Sequence, residues 1–267
     1  MTRLFATFGP SALRRTGLLA GAGLALALVL APVAGPARAQ DAALGKAEVE
    51  TIVRDYLLKN PEVIREALEE LERRDMAKAD EARSKALSSV SDVLLNSTRQ
   101  VVIGNPDGDV TLVEFFDYNC GYCKRAMGDM ERLLKEDKNL RIVLKEFPVL
   151  GQGSVEAAQV AVAVNMVEPE KYLAFHRKLM ATRGQANRAA SLAAAKAAGL
   201  DTAKVEAAMN DPEVKASIEE VYMLANHLGL TGTPSYVVGN DVVMGAVGYD
   251  ELSGKISAMR DCGETTC

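Results

Sequence analysis

VTLVEFFDYNCGYCKR, residues 110–125, decides how this chain reads. An apolar run rich in β-branched and aromatic residues, Thr111 to Phe116, ends in a polar turn and delivers Cys120 and Cys123 to the expected start of a helix. Two cysteines at this spacing can close a small disulfide ring across the first helical turn. The first sits where orphan backbone N–H groups and the helix dipole favour a thiolate. The stretch predicts a reactive dithiol on a strand-to-helix turn, and thiol chemistry as the function class.

Working outward, Val101 to Ile103 is expected as a short first strand and Leu140 to Phe147 as another. With a helix from Cys120 to about Lys135 between strands, this is a right-handed βαβ unit with parallel strands. From Ser154 to about Leu228 the pattern turns helical, with breaks at Gly184, Gly199-Leu200-Asp201 and Asp211-Pro212. Strand character returns at Ser235 to Val238 and Val242 to Met244, joined by a hairpin turn at Gly239-Asn240-Asp241, before a last helix from Tyr249 to Arg260. The sequence predicts a βαβ half (98–153) and a ββα half (229–260) around a helical block (154–228), with a cysteine-containing tail at 261–267.

Ahead of this core, residues 40–97 read as a helical arm. Val49, Ile52, Val53, Tyr56 and Leu57 make one apolar face, and Val63, Ile64, Ala67, Leu68 and Leu71 make a second. Asn60-Pro61 separates them and is expected to cap the second helix. Beyond Glu72 the run RRDMAKADEARSKAL is charge-laced, and is expected to bury little against a domain. Short amphipathic helices make a poor core alone. Self-association is one solution, and packing on the chain's own core is the other.

The first 39 residues read as an export signal: Arg3, Arg14 and Arg15, an apolar stretch from Gly17 to Leu30, and Ala37-Arg38-Ala39 before Gln40. Removing this segment, with its four arginines and no acids, takes the formal net charge from −5 to −9. An acidic mature chain is a poor partner for nucleic acid. With 48% hydrophobic and 25% charged residues, a full-sized core is expected. In an oxidising compartment the four cysteines favour redox or disulfide roles over metal clips. The local pairings Cys120–Cys123 and Cys262–Cys267 need the least loop closure. His176 and His227 read as ordinary helical residues, neither near the CxxC in sequence.

The CxxC turn, Gly232-Thr233-Pro234 just before the next strand, and the helical insertion together resemble the DsbA-like thioredoxin-fold family of periplasmic thiol:disulfide oxidoreductases, over about Val101 to Arg260. Tyr56 to Leu71, YLLKNPEVIREALEEL, is similar to the N-terminal region of the ScsC (suppressor of copper sensitivity) branch, some of whose members trimerise. The resemblance implies an α/β thioredoxin fold with an inserted helical domain, preceded by an α-helical oligomerisation arm. It implies Cys120 as the exposed nucleophile, Cys123 as the buried resolving thiol, and a cis Pro234 beside them, with Thr233 in the substrate-binding loop. Glu114 matches the family's buried acid, although strand alternation opposite Val113 and Phe115 also allows it to face solvent; Lys145 on the neighbouring strand is its expected partner. Gly121 and Tyr122 are expected to tune the redox poise, and Gly-Tyr, with threonine before the proline, points to the isomerase side.

The implied activity is a disulfide isomerase or reductase acting on exported cysteine-containing proteins, kept reduced by a membrane thiol reductase of the DsbD type, with a homotrimer favoured and no cofactor or metal required. A dithiol oxidase recharged by a DsbB-like partner is the alternative within the class. A copper-binding or chaperone protein is the alternative outside it. Cys262 and Cys267 are expected as a structural disulfide, with a copper site or second redox relay left open.

Overall fold

The computed structural model describes residues 45–267, so the expected export signal at 1–39 lies outside the described residues. Two units form, one ending at Asn60 and one running from Pro61 to Cys267. The described part of the first is α1, Lys46–Lys59, whose Val49, Ile52, Val53 and Tyr56 are all exposed. Asn60 does not cap the following helix as expected. Its side-chain amide and its own N–H both donate to Tyr56 O, each at 2.8 Å, closing α1 instead.

The second unit opens with α2, Glu62–Asn96, a helix of 35 residues. Its N-terminal half leaves Ile64, Leu68, Leu71 and Met76 exposed and carries solvent-screened ladder pairs such as Glu70 with Arg73 and Arg74. The expectation that the stretch beyond Glu72 buries little holds only for its first part. Leu87, Val90 and Leu94, at three- and four-residue spacing, pack on the sheet with Leu87 and Leu94 fully covered. The last turns of the expected 40–97 arm therefore belong to the globular body.

No basic residue stands in the last turn of α2, and its free carbonyls are satisfied from outside the helix. Arg141 Nη2 donates to Leu95 O at 2.7 Å, Gln100 Nε2 donates to the same oxygen, and Lys145 Nζ donates to Val93 O at 3.2 Å and to Gln100 Oε1 at 2.8 Å. Two cations at a helix C-terminus meet both its orphan acceptors and its negative dipole end.

The sheet has five strands in the order β1-β3-β2-β4-β5: β1 Val101–Gly104, β2 Val110–Phe116, β3 Leu140–Glu146, β4 Ser235–Val238 and β5 Asp241–Met244. β2 and β3 run parallel, joined through α3, Gly121–Glu136, and the other pairs are antiparallel. The inserted block comprises α4 Gln152–Val167, a 3₁₀ turn, α5 Tyr172–Met180, α6 Arg188–Ala197, α7 Thr202–Ala208 and α8 Pro212–His227. α9, Tyr249–Cys262, closes the second half. This is the thioredoxin-type architecture with a helical insertion that the sequence predicts.

Both sheet faces are covered, which is why β2 reads as a nearly continuous apolar run. Leu112, Phe116, Ile142, Leu144 and Tyr236 pack with residues of α3, α4, α5 and α9, whereas Val113, Phe115, Val143 and Val237 pack with α2 and α8. Register pairs Glu114 with Leu144 and Phe115 with Lys145. Lys145 thus projects to the face opposite Glu114 and serves the end of α2, so it is not the carboxylate's partner. Parallel strands in this register put residue 145 on the parity of 115, not of 114.

Candidate active site at the start of α3

The apolar strand β2 ends at Phe116, and the next three residues form a turn whose polar groups are all engaged. Asp117 is 2% exposed. Its Oδ2 accepts from the N–H groups of Val149 and Leu150 at 2.9 and 3.0 Å, and its Oδ1 accepts from Asn119 N and Ser154 Oγ, each at 2.7 Å. Asn119 reaches the insertion, where Nδ2 donates to Ala186 O at 2.8 Å and Oδ1 accepts from Ala186 N at 2.7 Å. The turn is thereby tied to the loop after β3 and to α4. Asp117→Ala would leave the N–H groups of Asn119, Val149 and Leu150 and the Ser154 hydroxyl without their acceptor. A loss of about 2–4 kcal/mol is expected, read as a lower midpoint in urea unfolding at unchanged slope.

Cys120 then occupies the N-cap of α3. Its N–H donates to Asp117 O at 3.0 Å, and its sulfur accepts from Cys123 N at 3.4 Å. On the other side its thiol donates to Thr233 O at 3.2 Å. The Thr233–Pro234 peptide is cis. This contact brings together segments 113 residues apart. Cys120 is 5% exposed and Cys123 1%. The expectation of an exposed first cysteine gives way to one covered by the Thr233 loop, with Gly121 and Tyr122 exposed beside it. Both cysteines are free thiols, and burial pushes the Cys123 thiol far up. Tyr122 lies under the Arg125 guanidinium, 4.3 Å from its ring centre.

Glu114 is 5% exposed and shares its sheet face with Leu112 and Phe116, so the solvent-facing alternative does not hold. Burial pushes its carboxyl up to about 7. Its antiparallel neighbour is Tyr236. Burial raises that phenol, and the charges of Glu114, Cys123, Asp129 and Cys120 raise it further. Glu114 and the two sulfurs therefore act on one side chain.

Cys262 and Cys267 are joined in a disulfide behind Gly263, whose φ of 78° reverses the chain after α9. His227 Nε2 lies 2.8 Å from Ser89 Oγ, between α8 and α2, and His176 is buried elsewhere. Among the described residues no group of three or more His, Cys, Asp or Glu side chains is placed to hold a metal ion. Sequence reading missed Asp117, Asn119, Ser154 and Tyr236. The polar triplet Asp117-Tyr118-Asn119 between an apolar strand and the CxxC was the one local sign of a built turn.

The arrangement is a dithiol whose first sulfur sits at a helix N-terminus against a backbone carbonyl, with a protonatable carboxyl on the same sheet face. Such a group can attack a disulfide, form a mixed disulfide and be released by the second thiol. Comparison with known proteins agrees. Residues 111–257 match the DSBA-like thioredoxin domain, and residues 46–78 match the copper resistance protein ScsC N-terminal domain. A thioredoxin-like oxidoreductase from Silicibacter pomeroyi DSS-3 is 44% identical, with 64% of this chain and 98% of that one covered and a TM-score of 0.62. ScsC of Proteus mirabilis in a compact conformation is 32% identical, covering 80% and 98%, with a TM-score of 0.61. Among curated proteins, the chain is 27% identical over 163 residues to disulfide bond formation protein D of Bacillus subtilis (strain 168), covering 57% of this chain and 73% of that one. It is also 26% identical over 187 residues, 66% of its length, to the Na(+)/H(+) antiporter NhaA 1 of Salinispora arenicola (strain CNS-205), of whose length it spans 28%.

Proposed function

This chain belongs to the DSBA-like thioredoxin family of thiol:disulfide oxidoreductases, and from that premise we propose that it exchanges disulfides through Cys120 and Cys123, on the isomerase or reductase side. The observation that carries this reading is the Cys120 sulfur at the N-cap of α3, 3.2 Å from Thr233 O. Cys120 attacks the substrate disulfide and is joined to one substrate sulfur, while the other leaves as a thiolate. Cys123 then either resolves the mixed disulfide, leaving substrate reduced, or stands by while the substrate's own thiol displaces Cys120. Gly121 and Tyr122 set the balance between these outcomes, and Thr233 with Pro234 lines the substrate's approach.

Family members act on exported cysteine-containing proteins, and such proteins are the proposed substrates here. A periplasmic location rests on the apolar stretch and arginines of residues 1–39, and reduction by a DsbD-type membrane partner follows from the need for a free Cys120 thiol. The exposed stripes of α1 and the first half of α2 support a trimer built on the arm, in which several dithiols would share one substrate at high effective concentration. The Cys262–Cys267 disulfide is proposed as structural. The reduced protein is expected to reactivate scrambled ribonuclease. No reactivation beyond a glutathione control would defeat the isomerase reading, and net oxidation of reduced ribonuclease instead would favour an oxidase.

Glu114 is proposed to move the proton on and off the buried Cys123 thiol. Glu114→Gln is expected to slow the resolving step by about 100-fold, measured as persistence of the mixed disulfide under stopped flow. The same change should stabilise the protein. The folded carboxyl titrates above its usual value of 4.5, at about 7, so the native state binds the extra proton. Its stability falls as pH rises from 4.5 to 7, by roughly 3 kcal/mol. The glutamine variant escapes that loss, so its advantage in chemical denaturation should be full above pH 7 and vanish below 4.5.

A further inference from the structure

Behind the dithiol turn lies a closed group of polar side chains that the exchange chemistry does not use. Tyr118 comes from the turn, Glu146 from the end of β3, and Tyr172 and His176 from α5, and none is more than 7% exposed. The Tyr172 hydroxyl donates to Glu146 Oε1. The Tyr118 hydroxyl is 3.0 Å from His176 Nδ1, 3.2 Å from the Tyr172 hydroxyl and 3.5 Å from Glu146 Oε1. Tyr172 and His176 stand four residues apart, so one face of α5 presents both. Their rings stack at 5.8 Å, and Phe116 closes the group edge-on against His176.

Burying four polar groups together costs free energy that apolar residues of similar volume would not incur. What they gain is a fixed Tyr118, two residues ahead of Cys120. Burial holds Glu146 up at about 8 and His176 down at about 3. Burial thus favours the uncharged form of both groups, and the hydrogen bonds among the four side chains join the helical insertion to the turn.

We infer that Tyr118, Glu146, Tyr172 and His176 are positioning residues that hold the Cys120 turn in its dithiol geometry and so set the equilibrium constant of the Cys120–Cys123 pair. The inference rests on the exchange role proposed above for that pair. In the disulfide form the covalent ring from Cys120 to Cys123 holds the turn by itself. In the dithiol form only non-covalent ties do so: at the cysteines, Cys120 N to Asp117 O, Cys123 N to the Cys120 sulfur, and that sulfur to Thr233 O, and ahead of them the bonds of Asp117 and Asn119 to the insertion and those of Tyr118 to His176, Tyr172 and Glu146. Releasing Tyr118 therefore raises the free energy of the dithiol more than that of the disulfide. In equilibrium with glutathione, the S–S bond of oxidised glutathione breaks and the Cys120–Cys123 bond forms. Two electrons and two protons pass from the protein thiols to two glutathione thiols.

The test is that equilibrium at pH 7, measured by thiol alkylation across a series of glutathione ratios. Tyr118→Phe, which removes one hydroxyl, and Glu146→Leu are each expected to shift the constant toward the protein disulfide by about tenfold, equivalent to about 30 mV. Glu146→Gln keeps an uncharged acceptor and is expected to stay within about twofold of the parent. A merely structural role would lower the unfolding midpoint of both redox forms alike and leave the constant unmoved. An unchanged constant in Tyr118→Phe overturns the inference, even if Glu146→Leu fails to fold. A parent protein that does not equilibrate with glutathione at all would defeat the redox-pair reading itself, which separates the two failures.

Discussion

Replacing Cys120 with alanine is expected to abolish disulfide exchange, a fall of roughly 10³-fold or more in scrambled-ribonuclease reactivation, because the thiolate is the attacking group and nothing else at the N-cap of α3 can replace it. Cys123 sits one turn further and is buried, with its thiol held protonated. Cys123→Ala should therefore fail differently. It should still attack, and then accumulate the mixed disulfide, visible as a covalent complex on a non-reducing gel. Activity persisting in Cys120→Ala would reject the assigned nucleophile. Equal loss without a trapped complex in Cys123→Ala would reject the order of the two sulfurs.

The second large effect concerns where the arm can be cut. A chain beginning at Thr98 lacks Leu87 and Leu94, and with them the cover over Val113, Phe115, Val143 and Val237. Each lost leucine is worth about 2–5 kcal/mol, so the pair approaches the whole stability of a typical domain, about 5–15 kcal/mol. Lys145 and Arg141 would also lose the carbonyls of Val93 and Leu95 that they now serve. This chain is expected to be largely unfolded or aggregated. One beginning at Arg83 should fold, equilibrate with glutathione as the parent does, and run as a monomer by light scattering. Matching urea midpoints for the two truncations would show that the last turns of α2 do not support the sheet.

These effects also mark what could be read in the chain before its fold. The strand, turn and helix from Val110 to Glu136 were legible because a β-branched and aromatic apolar run, a polar break and helix-forming composition follow one another there without ambiguity. The helices of the insertion were legible from their breaks at Gly184, Gly199-Leu200-Asp201 and Asp211-Pro212. The docking of α2 was not. Leu87, Val90 and Leu94 follow a run of charged and small residues, 72–86, broken only by Met76, and three apolar positions in a polar helix carry little periodic signal. Glu114 was ambiguous for a related reason. In a strand covered on both faces, alternation no longer distinguishes inside from outside, and only the register with Leu144 settles its side. Tyr118, Glu146 and His176 meet across 28 and 58 residues, a separation at which no local pattern survives.

α2 also acts as a ruler. Its docked end is fixed at Leu87, and the 25 residues from Glu62 to Ala86 continue as one helix beyond it, a reach of about 38 Å at 1.5 Å per residue. Because each residue also turns the helix by about 100°, length and angular phase along this rod are coupled. Two added residues would swing the exposed stripe of Ile64, Leu68 and Leu71 more than halfway round relative to the dithiol, while seven would restore its direction and move it only about 10 Å outward. The direction in which the arm presents its apolar edge is therefore written in the number of residues between Leu71 and Leu87, whatever their identity.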